Sequence, residues 1–414
     1  MYLTHLSLSE FRNFSRLDQD IPCGPVLLVG SNAQGKTSLL EAIYYLATFE
    51  SFHAANDRQL VNFLSGRDTI VVARIVADFQ RPELGVTRPK THRIEVRLIQ
   101  ENIGLNGAGK FRKEILYDGV KKKIHEILGK FNAVLFLPQM LRVIEGSPEE
   151  RRRYLNLAIS QVFPVYAAYL SEYNQVLTQR NALLKTLSER GGESTGVADQ
   201  LSYWDDQLAD NGSHLIYHRI QAVQELERFG AATHRDLTRG QEVLRLNYQP
   251  SYDPFPQRPG QLTLAIDTPL NRSNLTIEKI RQGFRENLEK LRDEEITRGV
   301  TTIGPHRDEV RFLGNGIDLG TFGSRGQART VMLSLKLAEV AWMNEKTGQW
   351  PVLLLDEVLA ELDPYRREDL LKRLAECEQT MLTTTDLDLF QPEFVSHARL
   401  WHVNSGRIQE GFAG

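Results

Sequence analysis

Positions 26–49 leave this chain few folds to choose from. Val26-Leu27-Leu28-Val29 is a short apolar run of strand character that stops at Gly30-Ser31-Asn32-Ala33-Gln34-Gly35-Lys36-Thr37, and Thr37 to Phe49 then reads as a helix. A strand, a Gly-x4-Gly-Lys-Thr turn and a helix, in that order, make a phosphate-binding loop. Glycines at 30 and 35 let the backbone curl until its N–H groups face phosphate oxygens at a helix N-terminus. Lys36 suits the β- and γ-phosphates and the Thr37 hydroxyl suits Mg²⁺, while Ser31, Asn32, Ala33, Gln34 and Ser38 complete the lining. The segment predicts an α/β fold with this strand buried. A second Gly-x4-Gly-Lys match, Gly104 to Lys110, is followed by Phe111, which offers a metal no hydroxyl. With Asn106-Gly107 between alternating stretches it reads as a hairpin turn.

Far along the chain, Val352-Leu353-Leu354-Leu355 is a buried strand that ends in Asp356-Glu357. Asp356 suits a Mg²⁺ shell and Glu357 a base that polarises water. Asp363 follows in Leu359-Ala360-Glu361-Leu362-Asp363. Before the strand stands Ser324-Arg325-Gly326-Gln327, a turn at a helix start that can present a hydroxyl, N–H groups and a dipole to an anion.

The rest of the chain bounds these motifs. With 414 residues two or three domains are expected, and 41% hydrophobic with 25% charged residues is an ordinary globular composition. Fifty basic against 53 acidic residues give −3, which excludes a globally basic nucleic-acid coat but not a local basic face. Cys23 and Cys377, the only cysteines, make neither a disulfide framework nor a zinc site and fit a reducing cytoplasm. The N-terminus shows no secretory signal. Tyr154 to Ser171 is uncharged but carries Asn156, Ser160, Gln161 and Pro164, so it reads as a buried, partly amphipathic helix rather than a membrane span. Thr69 to about Lys123 alternates with period two (Ile94, Val96, Leu98; Ile115, Tyr117) and turns at Asp118-Gly119, predicting an antiparallel β-layer beside the parallel strand. Helical periodicity takes over near Pro148. Tyr166, Leu170, Tyr173, Leu177, Leu184 and Leu187 keep a 3-4 spacing broken by Arg180; Leu201, Trp204, Leu208 and Leu215 return, a helical hairpin joined by Gly191 to Gly196. A third run, Ile277 to Leu291, follows a Pro-rich, strand-like interlude at Gln249 to Asp267.

The order of phosphate loop, signature turn, acidic strand end and Asp loop resembles the ATP-binding-cassette head. Within that superfamily the chain resembles the RecF family of bacterial DNA replication and repair proteins, related to SMC heads. The supporting segments are Leu8-Ser9-Glu10-Phe11-Arg12-Asn13-Phe14, Phe136-Leu137-Pro138, Glu145-Gly146-Ser147-Pro148 with Arg151-Arg152-Arg153-Tyr154-Leu155, and Gly304-Pro305-His306-Arg307-Asp308, besides the motifs above. The resemblance implies an α/β ATPase head of the P-loop type, residues 1–140 and 300–414, with an inserted coiled-coil-like helical arm at 141–299. It implies ATP with Mg²⁺ as cofactors, Arg12 and Asn13 among the nucleotide contacts, and an ATP-dependent homodimer. In that dimer Ser324, Arg325, Gly326, Gln327 and Asp363 of one chain face the nucleotide held by Lys36 of the other. Gln139 stands where a Q-loop metal and water ligand lies, a position acidic in many relatives. Arg325 replaces a generic glycine, and Thr380 to Thr384 is followed by Thr385-Asp386 without the histidine of transporter cassettes, so weak, slow, switch-like hydrolysis is expected. The separation of 288 positions from Lys36 to Ser324 exceeds what a transporter cassette allows, which weighs against an energising subunit of a membrane transporter. Intact Lys36, Asp356 and Glu357 weigh against a nonhydrolysing scaffold. The implied role is recombinational gap repair at double-stranded DNA or its junctions with single strands, recruiting RecR, with RecO and RecA downstream, in the cytoplasm at the nucleoid.

Phe111 to Lys130 carries a net +3, from Arg112, Lys113, Lys121, Lys122, Lys123 and Lys130 against Glu114, Asp118 and Glu126. Phosphate-backbone contact and a solvated hairpin face both account for it. Arg151 to Arg153 offers the same choice or a brace for the helical region, and His306 a nucleotide contact or a fixed turn, the structural role being favoured.

Overall fold

The computed structural model describes residues 1–62, 70–82, 89–101, 110–190, 197–254 and 275–411, with backbone only for 197–199. The hairpin turn expected at Gly104 to Lys110, the helix link 191–196 and most of the Pro-rich interlude lie outside them. By contacts the chain divides into two units, Met1–Met140 with Met343–Gly414, and Leu141–Trp342.

The first unit holds two sheets. In one, five strands run parallel in the order β14 (Arg399–Asn404), β3 (Gly24–Val29), β13 (Gln379–Thr384), β12 (Val352–Asp356) and β8 (Ala133–Phe136). An antiparallel edge strand, β15 (Arg407–Gly411), completes it. The apolar run at 352–355 is buried throughout, as a parallel strand covered on both faces requires. The second sheet is antiparallel, ordered β2 (Phe14–Asp20), β1 (Tyr2–Phe11), β4 (Ile70–Arg81), β5 (Lys90–Glu101), β6 (Lys110–Tyr117) and β7 (Val120–Lys121). Helix α1 (Lys36–Thr48) packs against strands of both sheets, so nearly every one of its side chains is buried. The turn after β6 is Asp118-Gly119, both with positive φ, the primed geometry that suits a two-residue hairpin. The expected β-layer is therefore present.

The second unit is mainly helical. Helix α4 (Pro148–Val162) opens with Pro148 in its first turn and a reciprocal capping box between Ser147 and Glu150. It stops at Phe163, and α5 (Pro164–Glu189) starts afresh, so Tyr154 to Ser171 is two helices rather than one. Among the described residues no helix is long and apolar enough to cross a membrane. Helices α5 and α6 (Val197–Leu237) form the expected antiparallel hairpin, closed by Leu184, Leu187 and Leu201. Arg180, which interrupts the apolar spacing, is fully buried: its guanidinium pairs with Asp205 and Glu295 and donates to Thr301. The unit runs on past position 299, where the sequence reading ends the arm, because β9 (Leu244–Gln249) pairs with β10 (Glu309–Gly314). Helix α10 (Arg325–Thr347) thus begins in the second unit.

Candidate nucleotide site

A cavity of about 860 Å³ opens in the first unit, lined by residues 32–38, Arg12, Asn13, Gln139, Asp356 and Glu357 among others. Sequence reasoning placed all of these at one site from widely separated motifs. The loop between β3 and α1 needs its glycines for two different reasons. A Cβ at Gly30 would lie 2.4 Å from the Val403 carbonyl oxygen on the neighbouring strand. Gly35 has φ +116°, and a Cβ there would meet the Asn13 amide at 2.7 Å.

Lys36 is almost fully buried, its ammonium donating to the carbonyls of Gly30 (2.5 Å) and Ser31 (3.2 Å) and standing 3.3 Å from the Glu357 carboxylate. The Thr37 hydroxyl lies 2.9 Å from both oxygens of Asp356. A hydroxyl and a carboxylate in contact, with the Gln139 amide on the same cavity, are the hard oxygen donors Mg²⁺ takes alongside nucleotide phosphates. Among the described residues no cluster of three His, Cys, Asp or Glu forms a self-sufficient metal cage.

Two positioning features were not legible beforehand. Thr383 on β13 donates its hydroxyl to Asp356 (2.7 Å) and accepts the Glu357 N–H (3.0 Å). Glu357 takes a left-handed backbone conformation, φ +52°, so this hydroxyl fixes both acidic residues at the point where the strand turns. Gln34 accepts the Ser405 N–H through its side chain (2.8 Å) and the Gly406 N–H through its carbonyl (3.0 Å), tying the phosphate loop to the β14–β15 turn. The sequence marked Thr380 to Thr384 as a strand, but nothing local shows which hydroxyl meets the acid.

The signature residues belong to the second unit. Ser324 caps α10: its Oγ accepts the Gln327 N–H (3.2 Å) while its own N–H donates to the Gln327 side chain (3.0 Å). Gln327 also donates to Glu242 (2.9 Å). Arg325 and Gly326 are exposed, and first-turn N–H groups have no acceptor within a helix. In the first unit Asp363 caps α11 (Pro364–Leu374), accepting the Arg366 N–H at 3.1 Å.

The basic hairpin divides by face. Arg112 and Lys121 are exposed on either side of Glu114, Lys122 pairs with Glu126, and Lys123 is exposed. Lys113 is a correction to the DNA candidates, because its ammonium is held by Asp57 (2.9 Å), the Tyr45 hydroxyl (3.0 Å) and the Phe49 carbonyl (3.2 Å). Strand alternation puts it on the inner face, opposite Arg112. Arg151 and Arg152 brace the second unit through Glu309 and the Asp308 carbonyl. His306 fixes a turn there: its Nδ1 faces the Tyr173 hydroxyl at 2.7 Å and its Nε2 the Thr301 carbonyl at 3.3 Å. Burial lowers its pKa to about 4, so the neutral ring donates from Nε2 and accepts at Nδ1.

Comparison with known proteins settles the family. A family model described as the RecF/RecN/SMC N terminal domain matches residues 2–404. The DNA replication and repair protein RecF of Roseiflexus castenholzii is 39% identical over 413 residues, 99% of each chain. The chain belongs to the RecF family. The RecF of Herpetosiphon aurantiacus is 38% identical over 414 residues, again 99% of each. A solved structure of the recombination mediator protein RecF with ATP, in the RecFOR pathway, superposes with a TM-score of 0.78 at 29% identity, covering 99% of both chains. An SMC head bound to the C-winged helix domain of ScpA gives 0.52 at 14%, covering 100% of this chain and 98% of that one, a likeness of fold alone. The α/β cassette-type ATPase head expected from the motifs is thus the fold of this RecF-family chain.

Proposed function

We propose that this protein binds ATP with Mg²⁺ in the first-unit cavity, pairs with a second copy when ATP is bound, and hydrolyses it slowly at double-stranded DNA or its junctions with single strands. The observation that carries the reading is the meeting of Lys36, Thr37, Asp356 and Glu357 in one cavity. Bound Mg²⁺ would supply charge neutralisation on the phosphates, held by Thr37, Asp356 and the Gln139 side chain. Loop N–H groups at 30–37 bind the phosphates, and Lys36 exchanges its carbonyl and Glu357 contacts for phosphate oxygens. Glu357, released from Lys36, orients and deprotonates water. In the paired state Ser324 to Gln327 and Asp363 of one copy complete the site of the other. The exposed charges Arg112, Lys121, Lys122 and Lys123 are the remaining DNA candidates, and pairing doubles them. Family membership supports, as further parts of this reading, RecR recruitment with RecO and RecA downstream and a cytoplasmic location at the nucleoid.

Sedimentation of the wild type with and without ATP on gapped duplex DNA tests switch, pairing and substrate together. Glu357→Gln should accumulate an ATP-bound dimer on DNA. An unchanged monomer profile would count against the sandwich.

A further inference from the structure

Helix α1 carries a carboxylate, Glu41, five residues beyond Lys36 and 1% exposed. A buried charge of this kind needs a partner, and Glu41 has one on each side. Arg12, at the end of β1, grips it with both arms of its fork, Nε at 2.7 Å and Nη2 at 2.8 Å. Ser51 donates its hydroxyl to the same carboxylate at 2.5 Å, and that hydroxyl accepts the N–H groups of His53 (3.0 Å) and Ala54 (2.7 Å). Arg12 and His53 both line the nucleotide cavity. One buried carboxylate on the phosphate-loop helix therefore sets two walls of the cavity.

The donor count at Arg12 shows what this arrangement leaves over. A guanidinium has five N–H groups. Two engage Glu41, and a third, on Nη1, donates to the Gln59 carbonyl at 3.0 Å. The other two, one on each terminal nitrogen in a plane fixed by the bidentate grip, have no partner among the described residues. Arg12 itself sits in the left-handed region, φ +53°, with its backbone N–H on the Leu60 carbonyl, so neither backbone nor side chain is free to swing. A charge-matched, immobilised fork with spare donors on a cavity wall is a preorganised recognition element rather than a mobile surface cation.

We infer that Glu41 is a positioning residue: it acts on the nucleotide through Arg12, holding the guanidinium so that its two remaining N–H groups meet acceptor oxygens or nitrogens of the bound nucleotide. This rests on the reading that the cavity takes ATP. Glu41 touches no substrate itself, and its effect on binding must vanish when Arg12 is removed.

Titration of the full chain with a fluorescent ATP analogue tests it, using the wild type, Lys36→Ala, Glu41→Gln, Arg12→Lys, Arg12→Ala and the Glu41→Gln/Arg12→Ala pair. Lys36→Ala should abolish binding; retained binding there overturns the nucleotide reading itself. Glu41→Gln should weaken binding about tenfold, the order of one charge-assisted hydrogen bond. In the Arg12→Ala background the same substitution should change nothing. An additive loss in the pair, or wild-type affinity in Glu41→Gln, overturns the inference while leaving the nucleotide site standing. Arg12→Lys keeps the charge at a position only 22% exposed and loses only the fork. It should lose about tenfold as well, and wild-type affinity there overturns the inference even if Glu41→Gln fails to fold.

Discussion

Asp308 closes the segment Gly304-Pro305-His306-Arg307-Asp308, which the sequence alone leaves open between nucleotide contact and scaffold. Its carboxylate is 1% exposed and accepts from the Arg219 guanidinium (2.9 Å), the Tyr248 hydroxyl (2.5 Å) and the Ser251 N–H (2.9 Å). Arg219 is as deeply buried, and its other donors reach Tyr166, the Pro305 carbonyl and Asn156. Asp308→Ala leaves that guanidinium without an anion, and breaking a buried pair from one side costs about 3–5 kcal/mol. The Ser251 N–H loses its acceptor as well, which adds about 1–3 kcal/mol if water cannot reach it. For a unit of this size the ion-pair loss alone corresponds to a fall of about 6–20 °C in the midpoint of its thermal transition. Scanning calorimetry should show that shift, and Asp308→Asn, which keeps the shape, should fall by less. ATP affinity of the folded variant should match the wild type, because every residue placed at the cavity belongs to the other unit. A variant that melts within 2 °C of the wild type, by about the resolution expected of surface changes, yet no longer binds ATP would refute the reasoning and return the segment to the nucleotide.

Thr383→Val removes the hydroxyl shared by Asp356 and the Glu357 N–H; phosphate release should slow about 10- to 100-fold, and unchanged turnover would show that the acids position themselves. His306 titrates near 4 when folded against an ordinary 6.5. The unfolded chain therefore binds the extra proton between those values, so this group's contribution is complete above pH 6.5 and is lost as pH falls towards 4. Unfolding free energies from urea titrations at pH 8 and pH 5 should differ by about 2 kcal/mol more in the wild type than in His306→Asn, and equal differences would contradict the buried neutral ring. Replacing Lys121, Lys122 and Lys123 by Ala should flatten the salt dependence of DNA affinity. Lys113→Ala should lower thermal stability and leave that slope alone; the reverse pattern would restore Lys113 to the DNA face.

The candidate site was legible because the chemistry proposed for it dictates contiguous residue types: a glycine loop between strand and helix, and two acids at a strand end. What escaped the sequence depends on partners distant in the chain or on the side of an element a residue occupies. Lys113 and Arg112 are neighbours in the charge count of the basic stretch, but strand alternation sends them to opposite faces. Arg180 looks like a fault in a helical stripe until Asp205 and Glu295 arrive from two other helices. The break before Pro164 was readable in principle, since proline is favoured in the first turn of a helix. Extension of the second unit beyond 299 was not, because it hangs on a strand pairing across some sixty residues.

The placement of β3 bears on how the protein is made. This central strand, at residues 24–29, has β13 and β14 as its two sheet neighbours, and both come from residues 379–404. At ordinary elongation rates of about 5–20 residues per second, roughly 20–70 s of synthesis separate the strand from its first partner. Throughout that time an apolar run bearing the phosphate loop has no ladder to join, a condition that favours chaperone capture and aggregation. A ribosome that stops after Glu357 would release a chain with Lys36, Asp356 and Glu357 all in place but without β13, the strand that joins β3 to β12. Nascent chains stalled before and after residue 404 should therefore differ sharply in protease resistance of the loop, although no motif is lost between them.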